Sequence, residues 1–93
     1  MVRIKFTGKY QKNLKELLLD NPIKEVIAER LKIFVDNPDD TRLDNHPLTK
    51  SLKGKFAFSI DDDIRIVYEW VGKNTVRFLA IGRHTKVYSK KQN

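Results

Sequence analysis

Apolar residues recur along the chain at two different spacings, and the spacing changes near residue 52. Residues 2–6 alternate apolar and basic side chains, which predicts a short strand with one buried face. A helix is then predicted from Thr7 or Gly8, because its apolar residues recur at intervals of three and four; they are Tyr10, Leu14, Leu17 and Leu18. The chain is therefore expected to open with a strand and an amphipathic helix.

A second helix is predicted after Asp20, where the first pattern stops. Asn21 is a common N-cap residue, and Pro22 suits the first helical position. The apolar residues of this helix are Ile23, Val26, Ile27, Leu31, Phe34 and Val35. The two helices are expected to form a hairpin, with an apolar seam that lies mainly in the core. Residues 36–41 predict a turn, and residues 42–50 predict a polar loop.

From residue 52 onward, apolar residues occur at every second position, as in half-buried strands. Three strands are predicted, at residues 55–60, 64–71 and 75–81, separated by turn signals at residues 61–63 and 72–74. The expected fold is α+β in the order β-α-α-β-β-β, as a single domain over residues 1–93. A twisted, mainly antiparallel sheet would carry the helical hairpin on one face and leave Lys55, Ser59 and Arg65 on the other.

The positive charge is concentrated in the second half of the chain. The sequence has 19 Lys and Arg against 12 Asp and Glu, a net charge of +7. Residues 1–46 contribute nine basic and eight acidic side chains, or +1, whereas residues 47–93 contribute ten and four, or +6. Such a field favours a polyanion such as nucleic acid or an acidic protein segment, and an ordinary solvated surface is the structural alternative.

The composition excludes several classes of function. No cysteine is present, so disulfides, thiol nucleophiles and thiolate metal clusters are ruled out, and a cytoplasmic location is expected. Neither an apolar run long enough to cross a bilayer nor a secretory signal occurs, so no membrane partner is expected. Glycine-rich nucleotide loops and histidine-rich metal motifs are absent as well, so neither a cofactor nor a metal is expected.

Two histidines are the candidate proton-transfer groups. His46 lies in the predicted polar loop, and His84 follows the last predicted strand. Histidine titrates near neutral pH and can give or take a proton in a hydrolytic or transesterifying step. A solvated loop residue is the structural alternative for each. Asp63 could orient one of these imidazoles, or it could simply be a turn residue.

Basic and aromatic residues nearby could bind RNA. The guanidinium groups of Arg65 and Arg83 match phosphate oxygens in pairs, and diffuse positive charge would come from Lys53, Lys55 and Lys86. Tyr88 offers a flat ring on which a base can stack. The structural alternatives are ion pairs with residues 61–63 for the arginines, and packing against the sheet for Tyr88.

Five short motifs occur in a fixed order between residues 43 and 88. They are Asp44–Leu48 (DNHPL), Leu52–Gly54 (LKG), Asp63–Tyr68 (DIRIVY), Ile81–His84 (IGRH) and Val87–Tyr88 (VY). None is specific alone, but as a set they resemble the RelE/ParE superfamily of bacterial toxins, above all its YafQ-like and YoeB-like branches. The resemblance in the order of elements covers nearly the whole chain.

The resemblance implies a ribosome-dependent endoribonuclease that cuts mRNA in the decoding site and is neutralised by a cognate antitoxin. Five residues match catalytic positions of these branches: His46, Asp63, Arg65, His84 and Tyr88. Ser59 stands where YafQ-like members have a further histidine, which leaves one fewer proton-transfer group. The antitoxin is expected to be small, acidic and DNA-binding, with a flexible segment that covers the basic groove.

The implied chemistry needs no metal. The 2′-hydroxyl attacks its own 3′ phosphate, with His46 and His84 sharing the base and acid roles and Asp63 tuning one of them. Arg65, together with Arg83, would stabilise the charge on the phosphate. Two alternatives remain open at this point. One is a ParE-like inhibitor of DNA gyrase without nuclease activity, and the other is a relative that binds RNA without cutting it.

Overall fold

A mixed five-stranded sheet and two helices form the part of the chain that the computed structural model describes, residues 1–84 and 87. The elements are β1 (Arg3–Phe6), α1 (Gly8–Asp20), α2 (Lys24–Asp36), β2 (His46–Pro47), β3 (Phe56–Ser59), β4 (Ile64–Trp70) and β5 (Thr75–Arg83). Single 3₁₀ turns at Thr41–Leu43 and Lys50–Leu52 flank β2. The expected α+β class, with the helices ahead of the last three strands, is confirmed.

The strands lie in the order β1-β5-β4-β3-β2. β1 is parallel to β5, with Ile4 paired to Val76 and Phe6 paired to Phe78. The other neighbours are antiparallel, which confirms a mainly antiparallel sheet. The two helices separate β1 from the other strands along the chain. In the sheet, β1 lies beside the last strand rather than beside the next one.

The core lies between the helices and one face of the sheet. Phe34 of α2 is fully buried and stacks on Phe58, with the ring centroids 4.5 Å apart. It also meets Tyr68 edge-on at 5.0 Å. The predicted seam belongs to this core: Ile27 is buried, and Leu17, Leu18 and Leu31 pack against it from partly buried positions. Burial of these side chains is what fixes the helices on the sheet.

The boundary between the helices differs from the prediction. Asn21 is the C-cap of α1, and its side-chain Nδ2 donates to the Leu17 carbonyl at 3.0 Å. α2 begins only at Lys24, with Ile23 at its N-cap and no side-chain cap. The expected capping by Asn21 and first-turn position of Pro22 are therefore wrong, because the asparagine amide satisfies a carbonyl at the end of the preceding helix instead.

The predicted polar loop contains an edge strand. His46 pairs with Ala57 and Pro47 pairs with Phe56, so β2 adds two residues to the edge of β3. Asp44, just before it, has a left-handed backbone with φ 49°. A strand this short leaves no periodic signal in the sequence, so hydrophobic spacing could not predict it.

Three rows of side chains cross the face of the sheet that is turned away from the helices, called the open face below. The middle row is apolar and consists of Ala57, Val67 and Ala80, with Leu48, Leu79 and Val87 packed against them. One flanking row contains Ser59, Arg65 and Gly82. The other contains Lys5, Arg77 and Glu69. Ser59 and Arg65 thus lie on the face where the sequence puts them.

A bulge in β5 decides which of its side chains reach the open face. Val67 pairs with Ala80, but the next residue along β4, Tyr68, pairs with Phe78, so Leu79 is an extra residue in β5. The extra residue inverts the alternation. Arg83 pairs with the buried Ile64 and so falls on the helix side of the sheet.

Candidate functional site

The turn between β3 and β4 is fixed by its own polar groups. Asp61 Oδ1 accepts hydrogen bonds from the amides of Asp63 at 2.8 Å and Ile64 at 2.7 Å. Arg65 Nη1 donates to the Asp61 carbonyl at 2.7 Å and to the Ile64 carbonyl at 3.3 Å. The guanidinium of Arg65 is therefore held in one place at this end of the sheet.

Asp63 joins the same turn to the end of β5. Its carbonyl accepts the His84 amide at 2.7 Å, and its carboxylate forms an ion pair with Arg83. Arg83 also donates to Asn21 Oδ1 at 3.4 Å. The structure thus brings together four of the residues singled out in the sequence, called the sheet-end cluster below: Asp63, Arg65, Arg83 and His84.

The charges within the sheet-end cluster are unevenly balanced. The Arg83 guanidinium, helped by the His84 amide and the charge of Arg65, lowers the pKa of the Asp63 carboxyl, which is ionised at neutral pH. Arg83 is balanced by this carboxylate. Arg65 bonds only to neutral carbonyls, and its Nε and Nη2 meet no acceptor among residues 1–84. Arg65 is therefore the guanidinium of the cluster that can offer two donors to a phosphate.

His46 lies apart from the sheet-end cluster. Its Nδ1 is 2.8 Å from the Asp44 carbonyl. A carbonyl only accepts, so the neutral ring carries its proton on Nδ1 and keeps a lone pair on Nε2. The strand register, with strands about 4.8 Å apart and a rise of about 3.3 Å per residue, puts its Cα about 12 Å from that of Arg65 and about 20 Å from that of His84. The register therefore does not bring the two imidazoles to one point.

Two of the predicted phosphate ligands lie outside the sheet-end cluster. Lys53 and Lys55 precede β3, at the end of the sheet opposite the β3–β4 turn. Arg83 belongs to the cluster but lies on the helix side of the sheet, where it forms an ion pair with Asp63. Lys86 and Tyr88 lie outside the described residues.

Sequence reasoning missed three basic residues of the open face, Arg3, Lys5 and Arg77. Lys5 of β1 pairs with Arg77 of β5, and Arg77 Nη1 donates to Glu69 Oε2 at 3.0 Å. The alternation of residues 2–6 indicates that Lys5 faces away from the core. Its position beside Arg77 depends on the parallel pairing of β1 with β5, which joins the two ends of the described chain and has no local signal.

Solved bacterial toxins share this arrangement of elements at low sequence identity. YafQ from E. coli strain BL21(DE3) gives a TM-score of 0.81 at 19% identity, covering 96% of this chain and 100% of the other. A copper-bound mutant toxin from Helicobacter pylori gives 0.78 at 24% identity, covering 94% and 99%. The chain has the YafQ- and YoeB-like fold of the RelE/ParE toxins. The YoeB dimer from Staphylococcus aureus agrees, with 0.70 at 21% identity over 89% and 97% of the two chains. No protein-family model and no curated protein matches the sequence.

No three His, Asp or Glu side chains gather as ligands would among residues 1–84 and 87. In the same part of the chain, neither helix is long and apolar enough to cross a membrane. What the sheet-end cluster presents is an oriented guanidinium next to the backbone of a histidine.

Proposed function

We propose that this chain is the toxin of a type II toxin–antitoxin pair and a metal-independent endoribonuclease that cuts mRNA in the ribosomal decoding site. The sheet-end cluster carries the proposal: an ionised Asp63 holds the backbone of His84 beside the available guanidinium of Arg65. The toxin role is supported by the solved YafQ and YoeB toxins that share the fold. Cutting of mRNA also requires a cytoplasmic location.

The proposed reaction is an internal phosphoryl transfer. A base removes the proton from the 2′-hydroxyl, whose oxygen attacks the adjacent 3′ phosphorus. The bond to the 5′ oxygen breaks, and that oxygen takes a proton from an acid, leaving a 2′,3′-cyclic phosphate and a 5′-hydroxyl end. Arg65 donates Nε–H and Nη2–H to the phosphate oxygens as negative charge develops on them. Because its Nη1 contacts already hold the guanidinium in place, Arg65 needs little reorganisation as this charge develops.

One of the two proton transfers at the scissile phosphate is assigned to His84, because its backbone lies within the sheet-end cluster, and solvent water supplies the other. His46 stands about 20 Å away by Cα register, so its Nε2 is assigned to the neighbouring nucleotide rather than to the same phosphate. Asp63 stays ionised and is bonded to Arg83 and His84, which makes it a positioning residue. Tyr88 keeps its proposed role in stacking on a flanking base.

The proposed partner is a small, acidic, DNA-binding antitoxin. The open face presents the Arg65 guanidinium and the partly buried side chains of Leu48 and Leu79, which pack against the middle row. An acidic segment with apolar residues fits such a surface, because its charge steers association while its apolar side chains cover Leu48 and Leu79. A DinJ–YafQ toxin–antitoxin complex is among the solved structures with this fold.

Primer extension on an mRNA during in vitro translation tests the nuclease proposal. His84→Gln is expected to slow cleavage by about 10²- to 10⁴-fold, the usual value of general acid or base catalysis. His46→Gln is the matched substitution and should cost less than about tenfold, since it removes no proton transfer at the scissile bond. Unchanged cutting by a folded His84→Gln protein would end the proposal. Inhibition of gyrase supercoiling without RNA cleavage would point to the ParE-like alternative.

A further inference from the structure

Three basic side chains gather on the open face at the end of the sheet opposite the sheet-end cluster. The parallel pairing of β1 with β5 aligns Arg3 with Thr75 and Lys5 with Arg77. Ile4, between the two β1 residues, packs against the helix-side core, so Arg3 and Lys5 both point to the open face. Arg3, Lys5 and Arg77 are called the basic corner below.

The charge of the basic corner is only partly balanced. Arg77 Nη1 is 3.0 Å from Glu69 Oε2, and the two side chains remain 44% and 27% exposed. Arg3 and Lys5 are exposed and take part in no ion pair within the described ranges. Three cations against one carboxylate leave a net charge of +2. The Glu69 contact holds the Arg77 guanidinium in place without neutralising the corner.

We propose that the basic corner is a second phosphate-binding site for single-stranded RNA, separate from the scissile phosphate. The inference rests on the proposed nuclease function. By strand register the Cα of Arg77 lies about 14 Å from that of Arg65, a distance that a few nucleotides of extended RNA can span. Arg3 and Lys5 lie about 6.6 Å apart along β1, so they can contact successive phosphates of one strand. The corner fixes the path of the message across the open face.

RNA fits the basic corner better than an acidic protein segment does. Protein interfaces depend on a desolvated core rich in apolar and aromatic residues. The corner has no such core: its fourth side chain is Thr75, the small aliphatic Val71 opposite Thr75 is 38% exposed, and the apolar middle row lies on the far side of Arg77. Phosphate contacts need no such core, because exposed Lys and Arg bind a nucleic-acid backbone by releasing its counterions.

The salt dependence of RNA binding tests this site. In a His84→Gln background that prevents cutting, the double variant Arg3→Ala/Lys5→Ala should lower the slope of log affinity against log salt by about 1.4, at about 0.7 for each lost phosphate contact. When the salt concentration rises from 50 to 200 mM, the fold-loss of RNA affinity should therefore be about seven times larger for the parent than for the double variant. The probe is a ten-nucleotide RNA, which is long enough to reach both Arg65 and the basic corner.

Lys9→Ala/Lys12→Ala is the matched control, since it removes the same charge from exposed positions of α1. Equal slopes for the two double variants on this probe would overturn the proposal. So would a loss of binding to a polyglutamate peptide with RNA binding intact, which would assign the corner to an acidic protein segment. Failure of the nuclease proposal is seen separately, as an absence of mRNA cutting by the unsubstituted protein during translation.

Discussion

Substitution of Arg65 separates the contribution of its charge from that of its geometry. One guanidinium nitrogen is committed to the Asp61 and Ile64 carbonyls, which leaves Nε and Nη2 to donate as a pair. Removal of one preorganised donor to a developing oxyanion costs about 10²- to 10³-fold in kcat, or about 2.7 to 4 kcal/mol. Arg65→Ala is therefore expected to slow single-turnover mRNA cleavage by about that factor.

Arg65→Lys keeps the charge but not the fork. The three N–H donors of a lysine ammonium share one nitrogen, so they do not reproduce the planar fork in which Nη1 holds the Asp61 carbonyl while Nε and Nη2 reach two phosphate oxygens. A loss of at least about tenfold is expected, smaller than that of the alanine variant. The assay is primer extension on programmed ribosomes, with rates converted to transition-state free energies.

Arg42→Ala is the control for the Arg65 variants, because Arg42 is an exposed arginine paired with Asp40 in the first 3₁₀ turn. It should cleave at the normal rate. Thermal unfolding should show that the Arg65 variants stay folded, since their lost contacts are to carbonyls of a surface turn. Normal cleavage by a folded Arg65→Ala protein would refute the assignment of this guanidinium to the phosphate.

Two further substitutions test the site and the core. Ser59 pairs with Arg65 across β3 and β4, so Ser59→His would add an imidazole, with an ordinary pKa of about 6.5, beside the proposed phosphate site. The pH–rate profile of cleavage should gain an ionisation in that range that Ser59→Gln does not give, and identical profiles would contradict the proposed position of the phosphate. Phe34→Ala should lower the free energy of unfolding in urea by about 3 to 5 kcal/mol, because it empties the centre of the core. Leu19→Ala, at a side chain 80% exposed, should change it little, and equal losses would show that burial does not determine the cost.

The elements that the sequence predicts well are those with long periodic patterns. The sequence predicts both helices and the strands β3, β4 and β5, because their apolar side chains occur at the spacing of a helix or of a strand. Phe34 in α2 and Phe58 in β3 are examples. β2 has two residues and no period, so only its pairing with Ala57 identifies it. Asn21 fits a helix end as well as a helix start, and its bond to the Leu17 carbonyl decides between them. The residue type alone therefore does not show whether the Asn21 amide caps the end of one helix or the start of the next.

The direction of Arg83 depends on one extra residue in β5, Leu79, which a simple alternation of apolar and polar residues does not reveal. With strict alternation through β5, Val76, Phe78, Ala80 and Gly82 would share the helix side, and Arg83 would face outward beside Arg65. The extra residue Leu79 inverts this order, so Ile81 is buried in the core and Arg83 turns toward Asn21 and Asp63. Two arginines that look equivalent in the sequence therefore have different environments. Arg65 keeps two donors for a phosphate, whereas Arg83 locks the β3–β4 turn to the end of β5 and so sets where the backbone of His84 lies.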